Sequence, residues 1–274
     1  MKISCLPVSL FAELQTGRMT LKQWAEVAKG IGFDGIDLSM MMILGHTQTY
    51  LDGLRRDIDS VGIPVIMATT YPDFTNPDPN QRRRELDFLR RDIALCDELR
   101  IPYLRVLAGQ AHAGVGKEEG IVLASEYLHQ ADNIAKTYNV SLLFENHAKP
   151  GAWAEIDFSY PLDIFFEIFE RIKDTEIRLN FDIGNVVAQG EDPLEVLEKV
   201  IDRVETVHVS DMAQVGKFSP TEIGTGVCPI PQVLKRLKVF GFNGWVCIEE
   251  ASGHRVRGIQ NAWAYVRDLL IKVK

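Results

Sequence analysis

Short apolar runs alternate along this chain with longer stretches of helical period. Runs of strand length cover residues 3–9, 35–39, 64–70, 103–107, 141–145, 177–182, 206–209 and 245–248. Helices are predicted between and after them, around 20–30, 47–60, 81–99, 118–138, 162–172, 194–204, 231–240 and 258–271. The third shows its period in Leu86, Leu89, Ile93 and Cys96, spaced by three and four. The sixth has a defined start, with Asp192 as N-cap, Pro193 in the first turn and Glu195 closing a capping box.

Eight strands, each followed by a helix and joined without a composition break or low-complexity linker, imply parallel pairing through right-handed crossovers. In a chain of 274 residues this is the pattern of an α/β fold with a single (β/α)8 TIM-barrel domain spanning 1–274. The competing architecture is a doubly wound open sheet. It usually carries a glycine-rich dinucleotide turn after its first strand, and Val8-Ser9-Leu10-Phe11 offers none.

Composition and charge narrow the function. The residues are 46% hydrophobic and 25% charged, an ordinary globular composition, and the net charge is −8. An acidic chain is poorly suited to sequence-independent binding of phosphate backbones, so no nucleic-acid partner is expected. The densest basic cluster, Arg82, Arg83, Arg84, Arg90 and Arg91, is interleaved with Glu85, Asp87 and Asp92 on one predicted helix and reads as a solvated face. Cys5, Cys96, Cys228 and Cys247 have no CxxC spacing, and buried reduced thiols are expected. No apolar run is long enough to span a membrane, and the first residues lack the apolar stretch of a secretory signal. A cytoplasmic protein without a membrane partner is the expectation.

The chemistry gathers where strands should end. Phe144-Glu145-Asn146-His147, Phe181-Asp182-Ile183-Gly184-Asn185, Val207-His208-Val209-Ser210-Asp211 and Val246-Cys247-Ile248-Glu249-Glu250 each put a carboxylate or imidazole at that place on the last four strands. Active sites of (β/α)8 barrels lie at the carboxyl ends of the strands. Adjacent strands are about 5 Å apart, so four neighbours can aim at one point. Glu145, Asp182, His208 and Glu249 would suit one divalent ion, Mn²⁺ first, with Mg²⁺, Co²⁺ or Zn²⁺ as alternatives. Three carboxylates converging without a cation would raise one another's pKa. Strand alternation turns only one of Glu249 and Glu250 inward, and apolarity on both faces of a buried parallel strand leaves open which.

On these phrases the chain resembles the xylose-isomerase-like TIM-barrel superfamily of sugar and sugar-phosphate isomerases and epimerases. Asp182-Ile183-Gly184-Asn185, His208-Val209-Ser210-Asp211 and Gly241-Phe242-Asn243-Gly244-Trp245-Val246-Cys247-Ile248-Glu249 carry the likeness, and Gly224-Thr225-Gly226 matches the family's turn after the histidine strand. The resemblance favours Glu249 over Glu250. It implies that Glu145, Asp182, His208 and Glu249 hold one metal. It further implies that Glu145 and Glu249 are the catalytic acid and base, moving a proton through a metal-stabilised cis-enediolate of a small sugar, sugar phosphate or hydroxy-ketone. The same groups would serve a dehydratase of an α-hydroxy ketone such as an inosose or dehydroshikimate. A non-catalytic sugar-binding barrel is the third reading. Two positions depart from the ketose 3-epimerase branch: Asn185 stands for its histidine and Gln214 for its arginine. Thr70 and Leu107 close strands three and four, where related DNA-repair endonucleases place further histidines, which argues against nuclease activity.

Other residues are candidates for the surroundings. His147 reaches substrate, orients Glu145 or is structural. Asn185 can donate a hydrogen bond to substrate, and Trp153 is an apolar wall for a sugar or packs on a neighbouring loop or subunit. Lys217, His254, Arg255 and Arg257, in the last two strand-to-helix loops, would face a phosphate if the substrate carries one. His112, in the loop after strand four, could line the mouth but reads first as a solvated loop residue. Arg105, inside strand four, requires a buried carboxylate partner, Glu145 or another barrel acid. It joins Asp211 as a supporting residue. The expected partner is a small carbohydrate, with a homodimer or homotetramer as the assembly.

Overall fold

The computed structural model describes residues 1–149 and 151–272. Eight parallel strands form a nearly closed barrel with helices between them. The strands are β1 (Lys2–Leu6), β2 (Ile36–Ser39), β3 (Val65–Thr69), β4 (Tyr103–Val106), β5 (Ser141–Glu145), β6 (Arg178–Asp182), β7 (Val204–Val209) and β8 (Trp245–Glu249). They neighbour one another in the order β1-β8-β7-β6-β5-β4-β3-β2. The helices are α1 (Phe11–Gln15), α2 (Leu21–Ile31), α3 (Gln48–Val61), α4 (Pro79–Glu98), α5 (Lys117–Ala135), α6 (Leu162–Arg171), α7 (Ile183–Ala188), α8 (Pro193–Glu198), α9 (Ile230–Phe240) and α10 (Arg255–Lys272).

Contacts group the chain into two units, residues 1–67 with 181–274 and residues 68–180, and the divisions fall inside β3 and β6. In the first unit β1 and β7 both pair with β8, Leu6 opposite Glu249 and His208 opposite Cys247. Several of its helices start on side-chain caps. Thr20 and Gln23 form a reciprocal capping box at α2, and Thr47 Oγ1 accepts from Tyr50 N at α3. Helix α3 buries Leu51, Leu54, Ile58 and Val61, a stripe at spacings of three and four. Each such side chain stabilises the fold by about 1.5–3 kcal/mol. In the second unit β4 and β6 pair with β5. There Asp78 caps α4 ahead of Pro79, and Leu89, Ile93 and Cys96 lie on its buried face.

The segment between β6 and β7 departs from the expected single helix over 194–204. It holds two short helices, α7 and α8, and a 3-10 turn, Ile201–Arg203, before β7 begins at Val204. Helix α7 starts on Asp182 itself, whose side chain accepts from Asn185 N. At α8, Asp192 Oδ1 accepts from Leu194 N, a shorter cap than the box expected with Glu195. All four cysteines are buried and free. Among the described residues no helix is long and apolar enough to cross a membrane.

Candidate metal centre

Register decides which glutamate of β8 turns inward. His208 on β7, Cys247 on β8 and Ser4 on β1 share one level of the sheet. Residues at one level point to one face, and Glu249 lies two positions beyond Cys247, on that same face. Glu250 faces the other way, where its Oε1 accepts from Ser252 N at 2.9 Å and from Ser252 Oγ, closing the turn ahead of α10.

His208 is fully buried, and its Nδ1 lies 3.5 Å from Glu249 Oε2 and 3.9 Å from Asp182 Oδ2. Asp182 is held by its neighbours. Its Oδ1 accepts from Asn185 N at 2.6 Å and from Ser210 Oγ at 2.9 Å. Ser210 Oγ in turn accepts from Gly184 N at 3.1 Å. A Cβ on Gly184 would collide with Ser210 Oγ, so the Asp182-Ile183-Gly184 turn needs its glycine for this close approach. The arrangement turns Asp182 Oδ2 toward His208.

Glu145, in the second unit, ends β5 and is fully buried. Arg105 Nε sits 2.9 Å from its Oε2. Arg105 also donates from Nη1 to Thr70 O at 3.3 Å and lies over the Tyr71 ring, 4.9 Å from its centroid. Of the alternatives open for Arg105, the structure pairs it with Glu145. Asp157 acts on the same pair. It is fully buried, and burial pushes its carboxyl up to about 7; attraction to Arg105 opposes the rise and repulsion from Glu145 adds to it. Its Oδ1 accepts from Ser159 N and Ser159 Oγ, each at 2.7 Å.

One ligand atom from each of Glu145, Asp182, His208 and Glu249 lies within 4.8 Å of the others. Ligands on opposite sides of a divalent ion lie about 4–5 Å apart, so the spread is of the right scale. Three carboxylates and an imidazole, three of the four buried, are also a donor set whose mutual repulsion a cation relieves. The cluster could hold a divalent metal.

The remaining candidates lie in several different settings. Asp211 is a loop organiser: its carboxylate accepts from the backbone N–H groups of Met212, Gly224, Gly226 and Cys228 at 2.9–3.1 Å. A Cβ on Gly226 would strike Asp211 Oδ1, which explains the glycine of that turn. Trp153 is buried, with Nε1 donating to Tyr71 O at 3.3 Å, so it packs on the neighbouring loop and offers no open platform. His147 and Asn185 are buried. Lys217 and Arg257 are exposed. Arg255 Nη1 meets Glu13 Oε1 at 2.5 Å, and His254 Nδ1 meets Glu222 Oε2 at 2.7 Å. His112, expected as a solvated loop residue, instead meets Asp73 Oδ2 through Nε2 at 2.8 Å. Sequence reasoning missed Ser210, Asp157 and the buried strand acid Asp37. The last had a signal, a charge inside the apolar run Ile36-Asp37-Leu38.

The chain is similar to several known proteins. Over 258 residues the chain is 26% identical to a putative hydroxypyruvate isomerase of Streptomyces coelicolor, covering 89% of this chain and 88% of that protein. It is 25% identical over 177 residues to an inosose dehydratase of Clostridium tetani, 53% of this chain and 56% of that one. The chain thus spans about half the length of the dehydratase it matches. The crystal structure of the IOLI protein with a bound zinc atom superimposes with a TM-score of 0.79 at 20% identity, over 100% of this chain and 99% of that one. The model of the xylose isomerase-like TIM barrel matches residues 25–269, and the chain belongs to that family.

Proposed function

We propose that this protein is a divalent-metal-dependent isomerase or epimerase of a small sugar, sugar phosphate or related hydroxy-ketone. The observation that carries the reading is the cluster of Glu145, Asp182, His208 and Glu249, which joins two glutamates to a metal-binding set. The hydroxypyruvate isomerase relative, aligned over most of both chains, supports it. The oxygen-rich donors favour Mn²⁺ or Mg²⁺, and the zinc of the IOLI structure makes Zn²⁺ the alternative.

When bound, the cation would polarise the substrate carbonyl and offset the negative charge that builds on its oxygen. One glutamate of the pair removes the proton from the carbon beside the carbonyl, and the C–H electron pair enters the new C=C bond. If that glutamate returns the proton to the former carbonyl carbon while the hydroxyl proton crosses between the oxygens, the product is the isomer. If the other glutamate protonates the original carbon from the opposite face, the product is the epimer. Asp182 and His208 act as ligands, with Ser210 holding Asp182 and Arg105 holding Glu145 in place.

The same proton abstraction followed by loss of a β-hydroxyl as water is a dehydratase reaction, and the inosose dehydratase relatives favour that second reading equally. One experiment separates them. Metal content and Mn²⁺ affinity are measured for the wild type and His208→Ala, then hydroxy-ketones are incubated with the metal-loaded wild type in D₂O. A single site lost in the variant, with deuterium uptake and no loss of water, supports the isomerase. Release of an enone or dione identifies the dehydratase. Absence of any site in the wild type overturns both, and a site with no turnover of any ketone leaves a binding barrel.

A further inference from the structure

A cleft in the first unit takes no part in the chemistry above. It has a volume of about 380 Å³ and lies where the β1–α2 and β2–α3 connections meet the start of α2 and the first half of α3. Small-molecule sites are typically about 300–1,000 Å³, apolar over most of their lining, with a few fixed polar groups. Leu14, Leu21, Met42 and Leu54 supply buried apolar surface here, and Leu44, 54% exposed, stands at the opening.

Gly53 lines the same cleft from inside α3, where glycine is less favourable than alanine. A Cβ at Gly53 would meet nothing closer than Arg56 Nη2 at 3.9 Å, an ordinary contact. No neighbour in the protein therefore requires the glycine, and the space of the missing side chain belongs to the cleft.

The polar groups of the lining are fixed in place. The Tyr50 ring lies against Gly45, where a Cβ would strike it, and the Tyr50 hydroxyl oxygen accepts from Leu44 N at 3.2 Å. A phenol both accepts and donates. The Leu44 bond uses the acceptor, and among the described residues the hydroxyl proton has no acceptor of its own. The two charged residues of the lining, Lys22 and Asp57, face each other at 3.8 Å, so the mouth carries no net charge to select an ion.

We propose that this cleft binds a small, uncharged, largely apolar molecule with one acceptor oxygen, which takes the Tyr50 hydroxyl proton while its apolar body fills the space over Gly53. A segment of a second protein chain fits less well. Its backbone would bring N–H and C=O groups that each need a partner, and the lining presents one preset donor. No residue of the cleft belongs to the proposed metal centre, so the inference stands whichever reaction that centre performs.

The test is a titration of the ¹⁵N-labelled full-length protein with acetophenone, an uncharged aromatic ketone, beside ethylbenzene, which has a similar shape and no oxygen. Acetophenone should give saturable shifts at the amides of Leu44, Tyr50 and Gly53, and ethylbenzene should bind there about 3–10-fold more weakly, the worth of one hydrogen bond. Tyr50→Phe should remove the difference between the two probes. Gly53→Leu should abolish the shifts from both while keeping the melting temperature at or above that of the wild type, since leucine is the better helix former. Acetophenone that gives no saturable shift at these amides would overturn the proposal. So would equal affinities for the two probes in the wild type, which marks unspecific apolar adsorption, or full binding retained in Gly53→Leu. A sedimentation mass that falls in Gly53→Leu would overturn it as well, by showing a second copy of the chain seated in the cleft.

Discussion

Arg105 Nε lies 2.9 Å from Glu145 Oε2, with the two side chains 2% and 0% exposed. A guanidinium so deep in a sheet is tolerated only because a carboxylate meets it, and the carboxylate depends on it in return. Arg105→Met should destabilise the protein by about 3–5 kcal/mol, the cost of leaving a buried charge without its countercharge. Urea denaturation checks it. If Glu145 is a metal ligand, saturating Mn²⁺ should recover more of the melting temperature in the variant than it adds to the wild type. Equal shifts would mean that the cation sits away from Glu145.

Ser210 links three parts of the site, taking the Gly184 N–H and giving its own proton to Asp182. Ser210→Ala leaves the buried Gly184 N–H without this acceptor and Asp182 with one fewer donor, a loss of about 1–3 kcal/mol. Asp182 then keeps the Asn185 N–H but is held less firmly, and divalent affinity should fall about 10–100-fold. Calorimetric titration reads the second effect and denaturation the first. Stability lost with affinity intact would limit Ser210 to a structural role.

What could be read from the sequence follows from how a parallel barrel buries its strands. Apolar runs on both faces mark the strands, so Glu145, Asp182, His208 and Glu249 stood out as the polar residues that end them. Asp37 did not, because a strand-interior acid gains meaning only once the fold sets it beside Ser4. The segment after β6 misled for a related reason. Val196, Val200 and Val204 continue a helical spacing, but Val204 is the first residue of β7. Trp153, in a long loop, is open from the sequence both to a sugar wall and to packing on a neighbouring loop, and its hydrogen bond to Tyr71 O is a contact of the second kind. The ion pairs of Arg255 and His254 could not be read from the sequence because their acidic partners, Glu13 and Glu222, are distant along the chain.

Asp211 makes a different kind of prediction. It accepts four backbone N–H groups, among them those of Gly224 and Gly226. Asp211→Ala should release that turn, so the amides of Gly224 and Gly226 exchange with deuterium at least about tenfold faster, for about 1.4 kcal/mol of lost local protection. Gly226→Ala should produce a similar pattern, since its methyl group would occupy the space of the Asp211 carboxylate. Unchanged exchange in both variants would show that the turn is held by other contacts.

Asp157 gives the protein a pH dependence with a defined sign. Its carboxyl titrates near 7 in the folded chain and near 4 when unfolded. Between those values the folded state holds a proton that the unfolded state has released, so this group's contribution to stability falls as pH rises. Its full contribution is present below about pH 4 and is lost as the pH climbs through 7, by about 1.4 kcal/mol per pH unit across the window. Asp157→Asn, which cannot ionise, keeps the donor-and-acceptor shape of the protonated acid and lacks that loss. The melting temperature of the wild type should therefore drop relative to that of Asp157→Asn between pH 5 and pH 8. Parallel curves for the two proteins over that range would mean that Asp157 is ionised throughout, held in that state by Arg105.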